Sequence, residues 1–423
     1  MNNNNRKKEM ARFIGAINLA LSVIVLGGAG AFGQTLTTLH DFDANRDGQN
    51  PQAGVVFDQQ GNLYGTTIGA VNGNGIVYSL TPPEGGGAPW TESVLHKFEG
   101  QPDGAVPVGA LTIFSSGRLF GTTEEGGVHN MGTVFGLQPS ENPGDSGIGR
   151  VLYSFGSSAT DGVVPNSELL RANPGFYGVT REGGAHGFGT VFLATPPAGG
   201  GTNWSETILY SFAGSGDAAF PSGGLVADQA GNLYGVTLLG GANNLGAVYQ
   251  LSPPAADGGS WTETVIFSFS GLDGTLPSGQ LEFDQSGALY GTTDGGGSLQ
   301  EGTVFQLVSS SRLGGSWSQN VLYNFSGGRD GGNPVAGVVI DNMGRVFGAA
   351  STGGSGPLSG GVIFQLNPPV NEGDPWRETV LHSFGGPDGF RSLSHLVWRG
   401  GGFYGTTSSG GLNGRGTVFV LTP

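Results

Sequence analysis

Gly61-Asn62-Leu63-Tyr64-Gly65-Thr66-Thr67, followed by Gly75-Ile76-Val77-Tyr78, is the stretch on which the reading of this chain turns. It returns with small changes at 231–237 and 287–293. Its aromatic-glycine core occurs seven times: Tyr64-Gly65, Phe120-Gly121, Tyr177-Gly178, Tyr234-Gly235, Tyr290-Gly291, Phe347-Gly348 and Tyr404-Gly405, always 56 or 57 residues apart. A Gly-Thr-Val-Phe-like segment follows each pair, as at Gly132–Phe135, Gly189–Phe192 and Gly416–Phe419. An apolar run ending in phenylalanine forms the third marker, at Phe42, Phe98, Phe155, Phe212, Phe269, Phe325 and Phe384. Self-similarity at a fixed period of this length is the signature of a repeat architecture.

One unit contains four strand-like runs. In the fourth copy these are Gly224–Asp228, Asn232–Thr237, Gly246–Leu251 and Trp261–Phe269. β-Branched and aromatic residues fill them, with Gly, Asp, Asn and Pro between. Four strands in each of seven units predict an all-β, seven-bladed β-propeller of four antiparallel strands per blade, whose radial repetition protects the sheet edges. The chain opens with a fourth-type strand, Thr38–Phe42, and ends with a first, second and third. The ring is therefore expected to close by the N-terminal strand joining the last blade.

Composition agrees with this reading. The 423 residues include 84 glycines and 23 prolines, but 25 phenylalanines supply core material. The absence of cysteine excludes disulfides, thiolate metal sites and a cysteine nucleophile. Residues 1–33 have the order of a secretory signal peptide: basic residues Arg6, Lys7, Lys8 and Arg12, an apolar run Phe13–Leu26, then small residues to Gly33. That run is short for a bilayer span, which takes about 20 residues. The expectation is a secreted or envelope protein whose mature part, 34–423, is one propeller with no membrane span. Lys97 is the only lysine of that part, and the whole chain carries a net charge of −15. Nucleic acid, which is held by clustered Lys and Arg, is excluded as a partner.

The repeat resembles the GloVer-type tandem repeat of exported bacterial "choice-of-anchor" proteins, through Gly61–Thr67, 231–237 and 287–293 and the Gly-Thr-Val-Phe segments. The resemblance covers nearly all of 34–423 and implies an exported repeat protein. It brings no established activity.

Candidate chemistry falls on the loops. An aspartate stands in the turn entering the first strand of every unit: Asp47, Asp103, Asp161, Asp217, Asp273, Asp330 and Asp388. Seven carboxylates on one rim would suit cations or a polyhydroxylated ligand, but Asp-Gly is also a turn signal. Asp43, Asn45 and Asp47 match the opening of a calcium loop, although its twelfth position is Gly54 in place of glutamate. They are the candidate metal ligands, and Ca²⁺ is the one cofactor considered. A second aspartate set, Asp58, Asp228, Asp284 and Asp341, reads as hairpin-turn residues. Counting back from the aromatic-glycine pairs puts Phe114, Arg171 and Trp398 in its place in the other three units.

The glycine-rich loops between second and third strands should share a face with the entry turns. Glu124, Glu125, His129, Arg181, Glu182 and His186 are the chemically capable residues there and the candidate ligand-binding set. His40, His96 and His382 share a repeat position with Tyr153, Tyr210, Phe267 and Tyr323, which reads as packing. Trp90, Trp204, Trp261, Trp317 and Trp376 are expected to cover blade edges. No His-Glu-x-x-His and no Gly-x-Ser-x-Gly leading into a helix is present. The function expected is a non-catalytic binding or scaffold module, monomeric, for an extracellular glycan or surface protein. The alternative is an extracellular polysaccharide hydrolase or lyase using rim acids.

Overall fold

A computed structural model describes residues 34–422, apart from 71–72, 141–146, 200, 202, 215, 257, 311–314 and 372. The proposed signal peptide lies outside the described residues. Seven antiparallel sheets of four strands form a ring, with no helix among the described residues. Blade 4 shows the plan: Ala218–Ala227, Leu233–Gly240, Ala247–Ser252 and Thr262–Ser268, paired in that order. Its first strand begins upstream of Gly224. In blades 3 and 5 the first strand is split, into Gly162–Pro165 with Leu170–Ala172 and Thr275–Pro277 with Glu282–Phe283.

Blade 7 is completed from the other end of the chain. Thr35–Asp41 pairs with Thr417–Thr422, from Thr35 opposite Thr422 to Asp41 opposite Thr417. Closure removes the free edge that an open sheet array would expose.

Phenylalanine locks blade to blade. The fourth-strand residues Phe42, Phe98, Phe155, Phe212, Phe269, Phe325 and Phe384 are almost wholly buried. Each meets the third-strand aromatic of the next blade edge-on: Phe42 with Tyr78 at 5.0 Å, Phe269 with Phe305 at 5.2 Å, Phe384 with Phe419 at 5.3 Å. The glycine of the aromatic-glycine pair makes room for that ring. A Cβ on Gly235 would lie 2.5 Å from the Tyr249 hydroxyl and 2.7 Å from its Cζ. The two sequence markers are therefore one packing unit, read from opposite strands.

A second inter-blade lock has no constant residue type. Asn50, Val106, Val164, Phe220, Leu276, Asn333 and Arg391 stand three residues after the entry-turn aspartates, and all have φ between 51° and 59°. Each donates its backbone N–H to a loop carbonyl of the preceding blade, as Val106 does to Asn74 at 2.9 Å and Val164 to Met131 at 3.0 Å. A left-handed conformation is costly for valine, and it persists where surrounding bonds over-determine it.

Four of the five tryptophans that open the fourth strands reach a ring on the preceding blade: Trp90 meets Tyr404, Trp204 Phe120, Trp261 Tyr177 and Trp317 Tyr234, at 6.0–6.2 Å. Trp376 packs into the cluster containing Tyr290. They cover the seams between blades, as the sequence suggested.

The turn after the first strand corrects one alignment. Register places Phe114 of blade 2 where Asp58 stands in blade 1, as expected. In blades 3 and 7, however, the rung of Asp58 is held by Ala172 and Arg399, not Arg171 and Trp398. Both hairpins are shorter than that of blade 1. Blade 7 turns through Gly400-Gly401, both at positive φ, so that Arg399 pairs directly with Gly402. Counting residues back from Tyr404 cannot see a shortened turn.

No helix among the described residues is long and apolar enough to cross a membrane.

Candidate functional site

The entry turns and the loops between second and third strands share one face of the ring. Gly184 donates its N–H to the Asp161 carbonyl at 2.8 Å, Gly241 to Asp217 at 2.7 Å, and Gly127 to Asp103.

The seven entry-turn aspartates are committed to the fold. His40 Nε2 lies 3.0 Å from Asp47 Oδ2, His96 Nε2 2.9 Å from Asp103, and His382 Nε2 2.7 Å from Asp388. Tyr153, Tyr210 and Tyr323 donate their hydroxyls to Asp161, Asp217 and Asp330 at 2.9–3.1 Å. Phe267 has nothing to donate, and in blade 5 the Ser270 hydroxyl bonds Asp273 at 2.8 Å. The shared His/Tyr position therefore ties the fourth strand to the next turn as well as packing on the core phenylalanine. Backbone N–H groups take further oxygens, such as Ser157 on Asp161 at 2.8 Å and Ala213 on Asp217 at 2.7 Å.

The candidate calcium loop uses its oxygens in the same way. Asp47 accepts the Asp43 N–H at 2.7 Å on Oδ1, with His40 on Oδ2, while Asp43 Oδ1 accepts the Asn45 N–H at 3.0 Å. Among the described residues no three His, Cys, Asp or Glu side chains are grouped to hold a metal.

On the opposite face, Asp58 accepts the Asn62 N–H at 2.8 Å and the Tyr64 hydroxyl at 3.0 Å; Asp228 does the same for Asn232 and Tyr234, at 2.9 and 3.0 Å. These are turn-capping carboxylates.

Of the six loop-face candidates, Glu124 and Arg181 meet. Arg181 Nη1 lies 3.3 Å from Glu124 Oε1 across the seam of blades 2 and 3. Burial raises the Glu124 pKa; the Arg181 guanidinium lowers it, and the charges of Glu125 and Glu182 raise it again. These four residues are thus one electrostatic cluster. Glu125, His129, Glu182 and His186 are exposed, the histidines at separate loop tips. The same second-strand exit carries Asp294 in blade 5, whose carboxyl is raised by burial and lowered by an Asn333 hydrogen bond and by Arg391. Asn333 and Arg391 were not singled out from sequence. Both occupy the left-handed position after the turn aspartate, where residue type varies from blade to blade and gives no motif.

The loop face is also where apolar side chains are exposed. Val128, Met131, Leu299, Leu358 and Leu412 stand on the second-to-third loops, Leu272 on the blade 5 entry turn and Leu276 at the start of the strand that follows it. Among the described residues, seven of the ten exposed large apolar side chains lie there.

The second feature is a cavity of about 440 Å³ on the channel side of the first strands, walled by Val55–Phe57, Ile113, Val397–Arg399 and the polar Glu168, Gln280 and His395. These last three occupy one repeat position, seven residues after the turn aspartate, where the other blades carry Gly54, Ala110, Gly224 and Gly337. Burial raises the Glu168 carboxyl to about 7 and lowers His395 to about 4. The signal was present in the sequence as a position in the first-strand segment that carries glycine or alanine in four blades and a large polar residue in three.

In solved structures, the chain is similar to the extracellular domain of a protein described as a hybrid two-component system of B. thetaiotaomicron, at 8% identity and a TM-score of 0.52, covering 91% of this chain and 39% of that one. It is also similar to the polysaccharide lyase Uly1, at 10% identity and a TM-score of 0.50, covering 96% of this chain and 95% of that one. At such identities the likeness concerns the fold alone. No curated protein matches the chain. A family model, the Gloeobacter/Verrucomicrobia repeat, matches residues 29–192, 145–313 and 283–423 in overlapping spans. With the seven blades in register, the chain belongs to the Gloeobacter/Verrucomicrobia repeat family.

Proposed function

We propose that this protein is an exported, non-catalytic binding scaffold, monomeric, that engages a surface protein through its loop face. The observation that carries the reading is the collection of exposed apolar side chains on that face, from Val128 round to Leu412, beside the Glu124–Arg181 cluster. Isolated exposed leucines are ordinary, but a concentration on one face marks an interaction surface. The seven turn aspartates support it from the other side, since each is occupied in holding its own turn. A protein partner is favoured over a glycan because the loop tips present aliphatic groups. The aromatic pair of this face, Phe188 and Phe220, packs edge-on against itself at 5.5 Å. Export follows from the leader-like 1–33.

The test is capture of envelope and extracellular proteins by the chain without residues 1–33, compared with a Leu299→Glu, Leu358→Glu, Leu412→Glu variant. A control variant carries Met343→Glu and Val370→Glu, which lie away from the loop face. A specific protein lost only with the first variant is expected. A partner retained by it, or turnover of any polysaccharide abolished by Glu125→Ala and Glu182→Ala, overturns the reading in favour of another surface or of an enzyme.

A further inference from the structure

The channel cavity lies apart from the loop-face cluster and uses different residues. Its polar groups come from blades 3, 5 and 7, so they are spread round the channel with small residues between them. Gln280 and His395 each lie over a glycine of the preceding blade. A Cβ on Gly224 would be 3.0 Å from the Gln280 carboxamide carbon, and one on Gly337 would be 3.0 Å from His395 Nδ1. Gln280 reaches the Leu225 carbonyl only at 3.4 Å, which leaves its amide largely uncommitted. His395 Nδ1 is buried and has no hydrogen-bond partner. Buried polar groups in native structures are normally satisfied.

The wall around them is apolar, from Val55, Val56, Phe57, Ile113 and Trp398. Arg399, the one cation in the lining, is already engaged. It donates to the Asp58 carbonyl at 2.8 Å and lies over the Phe57 ring at 4.6 Å.

We propose that this cavity binds a small, uncharged, hydroxylated molecule, in the manner of a free sugar or cyclic polyol, through hydrogen bonds to Glu168, Gln280 and His395. An acid, an amide and an imidazole together offer both donors and acceptors, which is what a hydroxyl group uses. An anion would find no free cation. A divalent ion would need three close ligands, and none are grouped here among the described residues. A cavity of about 440 Å³ with a few convergent polar groups on apolar walls is of small-molecule size. The proposal is independent of the loop-face reading.

The experiment uses the whole chain without residues 1–33, titrated by calorimetry with neutral hexoses, pentoses and inositol. Glucuronate, inorganic phosphate, Ca²⁺ and Zn²⁺ serve as charged comparators, and the same neutral sugars are also offered as oligosaccharides. The expected result is binding of one or more neutral compounds, weakened roughly tenfold by each of Gln280→Ala and His395→Ala, the loss of one hydrogen bond. Glu168→Gln should retain more affinity than Glu168→Ala. The His395 ring nitrogens should shift in NMR spectra on binding. Should His395→Ala fail to fold, His395→Asn replaces it. Preference for free sugars over oligosaccharides would mark the ligand as a small molecule; the reverse would mark it as a glycan end, the site being the same. Absence of neutral binding, preference for a charged compound, or binding indifferent to all three positions overturns the proposal.

Discussion

If the N-terminal strand is a full member of blade 7, Phe42 must be worth as much as its counterparts within the chain. Replacing Phe42 by alanine tests this against Phe269→Ala. Both rings are completely buried. Phe42 meets His40 at 4.8 Å and Tyr78 at 5.0 Å; Phe269 meets Phe267 at 5.1 Å and Phe305 at 5.2 Å. Each donates its backbone N–H to the third strand of its own blade at 3.1 Å, to the Gly416 and Gly246 carbonyls respectively. Truncating a buried phenylalanine costs about 3–5 kcal/mol, combining lost transfer energy with the cavity left behind. Equal environments predict equal costs, agreeing within about 1 kcal/mol, the scatter of such sites. The assay is urea unfolding followed by tryptophan fluorescence and far-ultraviolet circular dichroism, run in parallel on both variants. Leu39→Ala, at 2% exposure, serves as a second probe of the same strand. Near-native stability of Phe42→Ala and Leu39→Ala beside a strongly destabilised Phe269→Ala would mean that the strand docks loosely and the ring is not closed by it.

Three further outcomes are expected. Gly235→Ala should destabilise by about 1–3 kcal/mol through overpacking; joined to Tyr249→Leu the two costs should fall short of additivity, because the colliding ring is gone. Additive costs in denaturant titrations would show that the glycine serves another purpose. Val106→Asn should stabilise the fold by up to about 1 kcal/mol, since asparagine tolerates the left-handed conformation better than valine and already holds this position at Asn50 and Asn333; an unchanged or lowered melting temperature refutes the strain argument. Lastly, Glu92, Glu263 and Glu378 are raised by burial to about 7 and Glu206 to about 8, each with an Oε1 that is buried and unpartnered. A folded-state carboxyl above its unfolded pKa keeps its proton longer than the unfolded chain does, so stability should decline as pH rises from about 4.5 towards 8. Gln319 stands at the same repeat position and donates to the Asp273 carbonyl at 3.0 Å. The four Glu→Gln substitutions should therefore flatten the dependence, and a profile of melting temperature against pH that keeps its slope in that variant would exclude these groups.

Fold and site were legible to different degrees, and the residues show why. Blade count, strand order and ring closure are local matters repeated seven times: Tyr64-Gly65 with Tyr78, or Tyr234-Gly235 with Tyr249, is a short-range pattern that any one unit displays. The complementary ends, Thr38–Phe42 and Thr417–Thr422, announce closure for the same reason. The loop-face cluster was partly legible, because Glu124 and Arg181 break a visible motif, though only assembly brings them to 3.3 Å. The bond between His40 and Asp47, repeated by Tyr210 and Asp217, was hidden because two donor types of different size fill one place.

By itself the sequence determined a seven-unit β-ring, since each unit's alternation and turns are written within its own 57 or so residues. Tertiary structure alone decided what faces the centre. Glu168, Gln280 and His395 are far apart in the chain and gain a common surroundings only when the ring closes and the glycines of intervening blades leave space beside them. It also decided where Arg399 stands, because a shortened turn moves a residue by one rung without changing any neighbour in sequence.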